Sequence, residues 1–168
     1  VCELIVNHQI DCELKHGNLH VASKPGDARE LQEEVERLQS VYGYEQIRYV
    51  DRAELAAITT GQGFHGASLD LGARPLHPLN YALGLARAAR DLGAQLHEGS
   101  RVTGYSEGSK VTVKTANGAV SCDYLVVACN GYLEKLEPRT AGRIMPINNY
   151  MLATEPLPES LARQLIRD

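Results

Sequence analysis

Apolar residues in the first half of the chain recur at spacings of three and four, as on one face of a helix. Five of them form the stripe of a first predicted helix: Ala28, Leu31, Val35, Leu38 and Tyr42. Asp27 and Glu30 have the spacing of a capping box at its start, and Gly43 ends it. A more broadly apolar helix is predicted from Pro78 to Leu92, with His77 before its start as a candidate cap.

Short alternating runs around these helices predict strands. In the first half, strands are expected at 10–15, 19–22, 47–50 and 64–71. The first two are expected to pair as a hairpin around Gly17-Asn18, and Asp51 is placed to cap a short helix that ends near Ile58. Further strands are expected at 95–98, 101–105, 111–115 and 120–125, the last three forming an antiparallel meander with a turn at Asn117-Gly118.

An uninterrupted apolar run begins at Tyr124 and ends in the small and polar residues Asn130 and Gly131. Its length and valine content are typical of a strand that is covered on both faces in a parallel sheet. Ligands in such sheets lie beyond the carboxyl ends of the strands, where small residues let the backbone approach. A plain core strand followed by a glycine turn is the alternative. After this run, 143–154 is expected to be extended, and Pro158 is expected to open a last helix.

Composition narrows the class of protein. With 168 residues, 43% hydrophobic and 23% charged, the chain is expected to form one sizeable core. A formal charge of -4 gives no basic footprint, which argues against nucleic acid and anionic membrane surfaces as partners. No stretch has the length of a membrane span and no secretory leader opens the sequence, so a soluble, cytoplasmic protein is expected.

Two patterns resemble ligand sites but lie in the wrong context. Cys12, His16 and His20 are spaced four apart, but the predicted turn at Gly17-Asn18 separates them, so no metal site is expected and the four cysteines are expected to be reduced thiols. Residues 61–66 match the GxGxxG of dinucleotide binding, yet a helix precedes them and a strand follows. A flexible turn is therefore expected there.

A set of motifs keeps its order along essentially the whole chain. The motifs are 10–14 with 17–22, 76–80, 93–94 with 98–102, 126–133, and 144–146 with 153–157. Together they resemble flavin-dependent amine oxidoreductases of the D-amino acid oxidase and glycine oxidase superfamily, and within it the gamma-glutamylputrescine oxidoreductase group. Because the glycine-rich strand-turn-helix and the C-terminal segment of that family are not in this sequence, an internal fragment of a longer flavoenzyme is expected.

The resemblance implies a mixed α+β and α/β fold. It combines part of an FAD-binding Rossmann-like domain (a helix, parallel strands and an antiparallel meander) with part of a mixed-sheet substrate domain. The implied division is 1–70 in the substrate domain, 71–131 in the FAD-binding domain with the meander at 107–122, and 132–168 back in the substrate domain.

The resemblance also implies site residues. Val102 matches the position that presents backbone to the adenine, and the strand end that approaches the cofactor comprises Ala128, Cys129, Asn130 and Gly131. Tyr150, on an expected long antiparallel strand, and His65 are the candidates for contact with substrate; His77 is a further candidate unless it only caps its helix. Cys129 has no base partner in the sequence, so a small residue beside the cofactor is favoured over a nucleophile. No catalytic residue is identified.

The implied activity is oxidation of an amine C–N bond to an imine with FAD as cofactor and oxygen as electron acceptor. The implied substrate is a small amine or amino acid, with gamma-glutamylputrescine as one candidate. The alternative is a non-catalytic binding or scaffolding domain that keeps the flavoenzyme framework. An NAD-linked dehydrogenase is disfavoured because it requires a strand-GxGxxG-helix unit.

Overall fold

The computed structural model describes residues 1–166, which divide into two compact units. The first contains Val1–Ala94 and the chain from Thr154 onward, and the second contains Gln95–Ala153. The elements in chain order are α1 Cys2–Asn7, β1 Asn18–Ala22, α2 Pro25–Tyr42, β2 Ile47–Asp51, α3 Arg52–Ile58, β3 Gly66–Asp70, α4 Pro78–Asp91, β4 Val102–Ser106, β5 Val111–Thr115, β6 Ala119–Cys122, α5 Pro138–Ala141 and α6 Glu159–Leu165.

An antiparallel sheet with the order β1-β3-β2 forms the centre of the first unit. In its register, Val21 lies opposite Ala67, and Ala67 lies opposite Val50. Val50 and Ala67 are fully buried together with Leu55 of α3. A second cluster joins Ala22 of β1 to the predicted stripe of α2. The sheet is therefore held by apolar contacts with both α2 and α3.

Helix α2 confirms the first three members of the predicted stripe, because Ala28, Leu31 and Val35 are its buried residues, whereas Leu38 is half-buried and Tyr42 is 69% exposed. It also ends as predicted, with Gly43 in the left-handed conformation at φ 64°. The predicted capping box is wrong. The helix begins at Pro25, whose fixed φ suits the first helical position, so Asp27 lies inside the first turn instead of before it.

The predicted hairpin of 10–15 with 19–22 is also wrong. Residues 10–17 are not a strand, and β1 pairs with β3 instead. The backbone of the earlier segment bonds to residues 73–77: Lys15 N–H donates to Pro75 O at 2.9 Å, and His77 N–H donates to Cys12 O at 2.7 Å. Alternation in sequence predicted extended backbone here but could not identify its neighbour.

Several other local predictions are confirmed. The Asp51 carboxylate accepts the Glu54 N–H at 2.8 Å and caps α3. His77 Nδ1 accepts the Asn80 N–H at 3.3 Å and caps α4, and α6 follows Pro158. The GxGxxG at 61–66 leads into strand β3 and not into a helix.

The second unit contains the predicted meander as an antiparallel sheet with the order β4-β5-β6. Its pairing shifts register between Val102 and Gly104, so that Thr103 has no partner on β5. On the other side of β5, Val113 lies opposite Val120. The register shift is a β-bulge, which leaves the backbone of the extra residue outside the ladder.

Three predicted strands of this unit are wrong. Residues 95–98, 124–129 and 143–154 are irregular, and the side chains of Tyr124 and Val126 are 90% and 85% exposed. A strand requires a hydrogen-bonded neighbour, and both sheets within residues 1–166 are antiparallel sheets that exclude these segments. The mixed α and β class is confirmed, whereas the predicted parallel strands are not found in the part of the chain that the structure describes.

The division of 1–70, 71–131 and 132–168 between substrate and cofactor domains stays a prediction, because compactness does not reveal which part holds which ligand. None of the helices described is both long and apolar enough to cross a membrane. Over the same residues, no group of three or more His, Cys, Asp or Glu side chains is placed to hold a metal ion. All four cysteine thiols are free.

Candidate functional site

A cavity of about 470 Å³ lies within the second unit. Its apolar lining consists of Val102, Val113, Leu125, Val126, Val127, Leu133 and Leu136. Tyr105 and Tyr132 add two aromatic rings, and Arg101, Glu134 and Lys135 add charges. This size and a mostly apolar lining with few polar groups are typical of sites for small molecules and cofactors.

One wall of the cavity comes from the meander. Val102 and Tyr105 of β4 are half-buried, and Thr103 between them also lines the cavity. The bulge at Thr103 frees backbone donors and acceptors from the β4–β5 ladder at this point. The wall therefore has apolar side chains on either side of the irregularity in the ladder at Thr103.

The other wall is the irregular segment 125–136. Leu133, which is only 5% exposed, is its most buried side chain. A short 3₁₀ turn over Asn130–Tyr132 precedes it, closed by the Tyr132 N–H to Cys129 O bond at 3.0 Å. Asn130 and Glu134 both have φ of 48°, a left-handed conformation that asparagine tolerates and glutamate rarely adopts. The segment thus folds on itself and buries Leu133.

A smaller cavity of about 370 Å³ shares part of this segment. Val127, Cys129 and Leu133 line both cavities, and Glu137 lines the smaller one. Hydrogen bonds from Thr140 lower the pKa of the Glu137 carboxyl below its ordinary value of 4.5, and its Oε2 accepts the Thr140 N–H at 2.6 Å. Glu137 is therefore a fixed negative charge that caps α5.

The structure brings together two of the predicted cofactor residues. Val102 and Cys129 line the same cavity, and Asn130 lines the smaller cavity beside it. Ala128 is exposed, and neither it nor Gly131 contributes to the lining of these two cavities. The five positions are therefore not equivalent: two lie on the cavity wall and one lies next to it.

The predicted substrate residues lie elsewhere in the chain. His65 belongs to the first unit, where it is half-buried and its N–H donates to Ala22 O at 2.9 Å. Tyr150 belongs to the second unit, is 90% exposed and is not on a strand, which corrects the expected antiparallel strand. Their roles toward substrate stay predictions.

Among the residues on the cavity that the sequence analysis did not identify are Arg101, Tyr105 and Glu134. Arg101 forms an ion pair with Glu134. The position of Arg101 next to Val102 was a signal that could have identified it. Nothing in the spacing links it to Glu134, which is 33 residues away.

The lining fits one part of FAD better than another. Apolar side chains, tyrosine rings and free backbone groups suit a flat heteroaromatic ring such as adenine. A pyrophosphate is usually held at a helix start that follows a glycine-rich turn. Within residues 1–166 the glycine-rich stretch at 61–66 leads into β3, so the residues described here fit the adenine part of the cofactor only.

Comparison with known proteins shows the family. The model of the family described as "DAO: FAD dependent oxidoreductase" matches residues 2–168. The chain therefore belongs to the DAO family of FAD-dependent oxidoreductases, and FAD is the cofactor of that family. This confirms the resemblance seen in the sequence.

Individual relatives agree with this assignment. Gamma-glutamylputrescine oxidoreductase of Escherichia coli strain K12 is 38% identical over 165 residues, which are 98% of this chain and 38% of that protein. The curated relatives matched are covered over only 35% to 40% of their own lengths. The chain thus spans well under half of these proteins.

Solved structures show the same fold. Glycine oxidase from Geobacillus kaustophilus superposes with a TM-score of 0.71 at 22% identity, over 82% of this chain and 38% of that one. L-proline dehydrogenase from P. horikoshii gives 0.66 at 21% identity, over 87% and 40%. At these identities the similarity establishes the fold and not the substrate.

Proposed function

We propose that this chain is the part of an FAD-dependent amine oxidoreductase whose second unit receives the adenine end of the cofactor. The observation that carries the proposal is the shared cavity of Val102 and Cys129. The resemblance alone implies that these two positions contact the cofactor. The size of that cavity and its mostly apolar lining suit an adenine ring.

In this proposal the cavity residues bind and exclude water. The aliphatic side chains on both walls cover the faces of a flat ring, which favours the ring over water. The backbone groups freed at Thr103 are available for its polar edge, so that no charged side chain is needed to recognise it. Binding of the ring should then tolerate the exchange of one aliphatic side chain on the walls for another of similar size.

The proposed reaction is oxidation of an amine C–N bond to an imine, with oxygen as the electron acceptor. FAD, when bound, supplies the acceptor for the hydride from the carbon that bears the nitrogen. His65 and Tyr150 are proposed to contact the substrate, and gamma-glutamylputrescine is the proposed substrate, in line with the name of the 38% identical relative. A cytoplasmic location is part of the same proposal.

A cavity-filling substitution tests the cofactor site. In the full-length protein, Val102→Phe places a ring in the cavity and is expected to weaken FAD binding about tenfold or more, by the usual cost of overpacking. Val120→Phe, on β6 and 58% exposed, is the matched control because Val120 does not line the cavity. Flavin fluorescence quenching gives both affinities. Equal affinities for the two variants would contradict the proposed site.

Oxygen consumption tests the reaction. The flavin-loaded full-length protein is expected to consume oxygen with gamma-glutamylputrescine, and glycine and L-proline serve as comparison substrates. Oxygen uptake with one of the comparison substrates alone would retain the class of reaction and reject the proposed substrate. Protein that stays colourless after saturation with FAD would instead support the non-catalytic scaffolding alternative.

A further inference from the structure

The two walls of the larger cavity are joined by one polar contact. Arg101 immediately precedes β4, and Glu134 lies at the far end of the irregular segment 125–136. Within the described residues 1–166, no backbone hydrogen bond and no other ion pair links residues 101–122 to that segment. Leu133 is the buried apolar side chain of the segment, and it lines the cavity.

The backbone at Glu134 is in a conformation that needs support. Its φ of 48° is in the left-handed region, where the Cβ of an ordinary residue is crowded. Glycine is the residue that adopts this conformation freely, yet the chain has a glutamate here. The side chain of Glu134 contacts Arg101, and a glycine at this position could not make that contact.

We propose that the Arg101–Glu134 ion pair is a latch that holds segment 125–136 against β4 and so keeps the two walls of the cavity together around its occupant. Arg101 and Glu134 are positioning residues, because they act by fixing the wall that carries Val127 and Cys129. The identity of the occupant as the adenine end of FAD rests on the proposed function. The latch itself does not.

The size of the effect follows from the exposure of the pair. The side chains of Arg101 and Glu134 are 77% and 61% exposed, so water and salt screen their attraction. Exposed pairs of this kind change an equilibrium by about twofold to fivefold. Opening of the cavity should increase by that factor when the pair is lost, and high salt should reduce the difference between the wild type and the variant.

Cys129 is a reporter of this opening, since it is a half-buried thiol on the cavity wall. In the full-length protein without FAD, labelling by N-ethylmaleimide can be followed by mass spectrometry of the peptide that carries Cys129. Cys122, half-buried on β6 and not on the cavity, is the internal reference. Glu134→Gln and Arg101→Gln are each expected to raise the ratio of Cys129 to Cys122 labelling about twofold to fivefold.

Two further variants distinguish loss of the Arg101–Glu134 ion pair from the effect of removing any surface charge. The double variant R101E/E134R restores an ion pair with reversed charges and should return the labelling ratio toward the wild-type value. Lys110→Gln removes the comparably exposed Lys110–Asp123 pair, whose atoms are 3.5 Å apart, and should leave the ratio unchanged. An unchanged ratio in Glu134→Gln, or an equal rise at Cys122, overturns the latch.

Protection by FAD is measured separately in the wild type. If FAD slows labelling of Cys129, the proposed occupant is supported, and Glu134→Gln should then release FAD about twofold to fivefold faster. If FAD gives no protection while the variants still change the ratio, the latch stands and the proposed cofactor site fails. The two proposals are thus distinguished by different measurements.

Discussion

Gly84 offers a sharp test of packing in the first unit. It lies within α4, where alanine normally favours the helix over glycine by about 1 kcal/mol. In this position an added Cβ would come within 2.8 Å of Ile10 Cγ1 and 3.0 Å of Ile10 Cβ. These distances are well below ordinary contact between carbon atoms. Gly84→Ala therefore sets helix propensity against steric overlap.

Overlap is expected to prevail. Ile10 is only 5% exposed and is packed with Ile5 and Cys12, so it has no free space to move into. Overpacking of a core costs about 1–3 kcal/mol, and the propensity gain offsets about 1 kcal/mol of it. Gly84→Ala should thus lower the free energy of unfolding by up to about 2 kcal/mol.

The assay is urea unfolding monitored by circular dichroism. The dependence of the unfolding free energy on urea concentration should be the same in wild type and variant. Gly26→Ala is the control: Gly26 lies in the first turn of α2, and an added Cβ there meets nothing within 4 Å. Gly26→Ala should raise the free energy of unfolding by up to about 1 kcal/mol. If Gly84→Ala stabilised as much as Gly26→Ala, the packing of α4 on Ile10 would be refuted.

A double substitution tests the cause directly. Ile10→Ala removes both γ carbons and alone should cost about 2–5 kcal/mol, as other large-to-small core changes do. In that background only the 3.0 Å approach to the Cβ of residue 10 remains, so Gly84→Ala should cost clearly less than in the wild type or become stabilising. Such a reduction would mean that the side chains at positions 10 and 84 couple, by up to about 3 kcal/mol. Purely additive effects would rule out the contact.

Three further predictions concern local contacts. Asp51→Ala removes the acceptor of the Glu54 N–H and should cost about 1 kcal/mol in urea unfolding, whereas Asp51→Ser should retain most of the stability. Gly43→Ala forces a Cβ into the left-handed end of α2 and should cost about 1–2 kcal/mol in the same assay, although the space around it is open. The Tyr44 hydroxyl donates a hydrogen bond to Asp70 at 2.6 Å, and this bond is the main reason that the pKa of Tyr44 is raised above 10.0. The bond therefore contributes fully to stability below pH 10.0, and its contribution is lost as the pH rises through the raised pKa. Tyr44→Phe should abolish that alkaline loss of stability and should remove the tyrosine that ionises late in an ultraviolet titration.

Local sequence signals predicted the helices and strands well where the packing or hydrogen-bonding partner of an element is close to it in sequence. The stripe of α2 buries residues against β1, which lies just before it, and the cap of α3 is only three residues from its donor. The meander similarly connects strands that follow one another directly. In each case the pattern and its partner are close in sequence.

Predictions failed where the partner is distant or unspecified. The apolar run after Tyr124 indicates a need for burial, but it does not specify a neighbouring strand, and the segment is irregular. Residues 12–15 were expected to be extended, yet their hydrogen-bonding neighbours are Pro75 and His77. Spacing along the chain carries no information about such contacts.

The residues of the candidate site likewise include some that the sequence indicated and some that it did not. The resemblance assigned Val102 and Cys129, which line one cavity, because it carries information on position that local patterns lack. Their contact with the cofactor stays a prediction. The ion pair of Arg101 and Glu134 joins residues that are 33 positions apart, and Glu134 has a left-handed backbone that no propensity predicts. Contacts between residues so far apart are the part of the site that the sequence does not specify.

The exposed apolar side chains of the second unit have a practical consequence for handling the protein. Besides Tyr124 and Val126, Met151 and Leu152 are almost entirely open to solvent. Apolar patches of this kind promote self-association and binding to chaperones. A laboratory that expresses residues 95–153 alone should plan for inclusion bodies, and polar replacements at these positions are the first remedy to try.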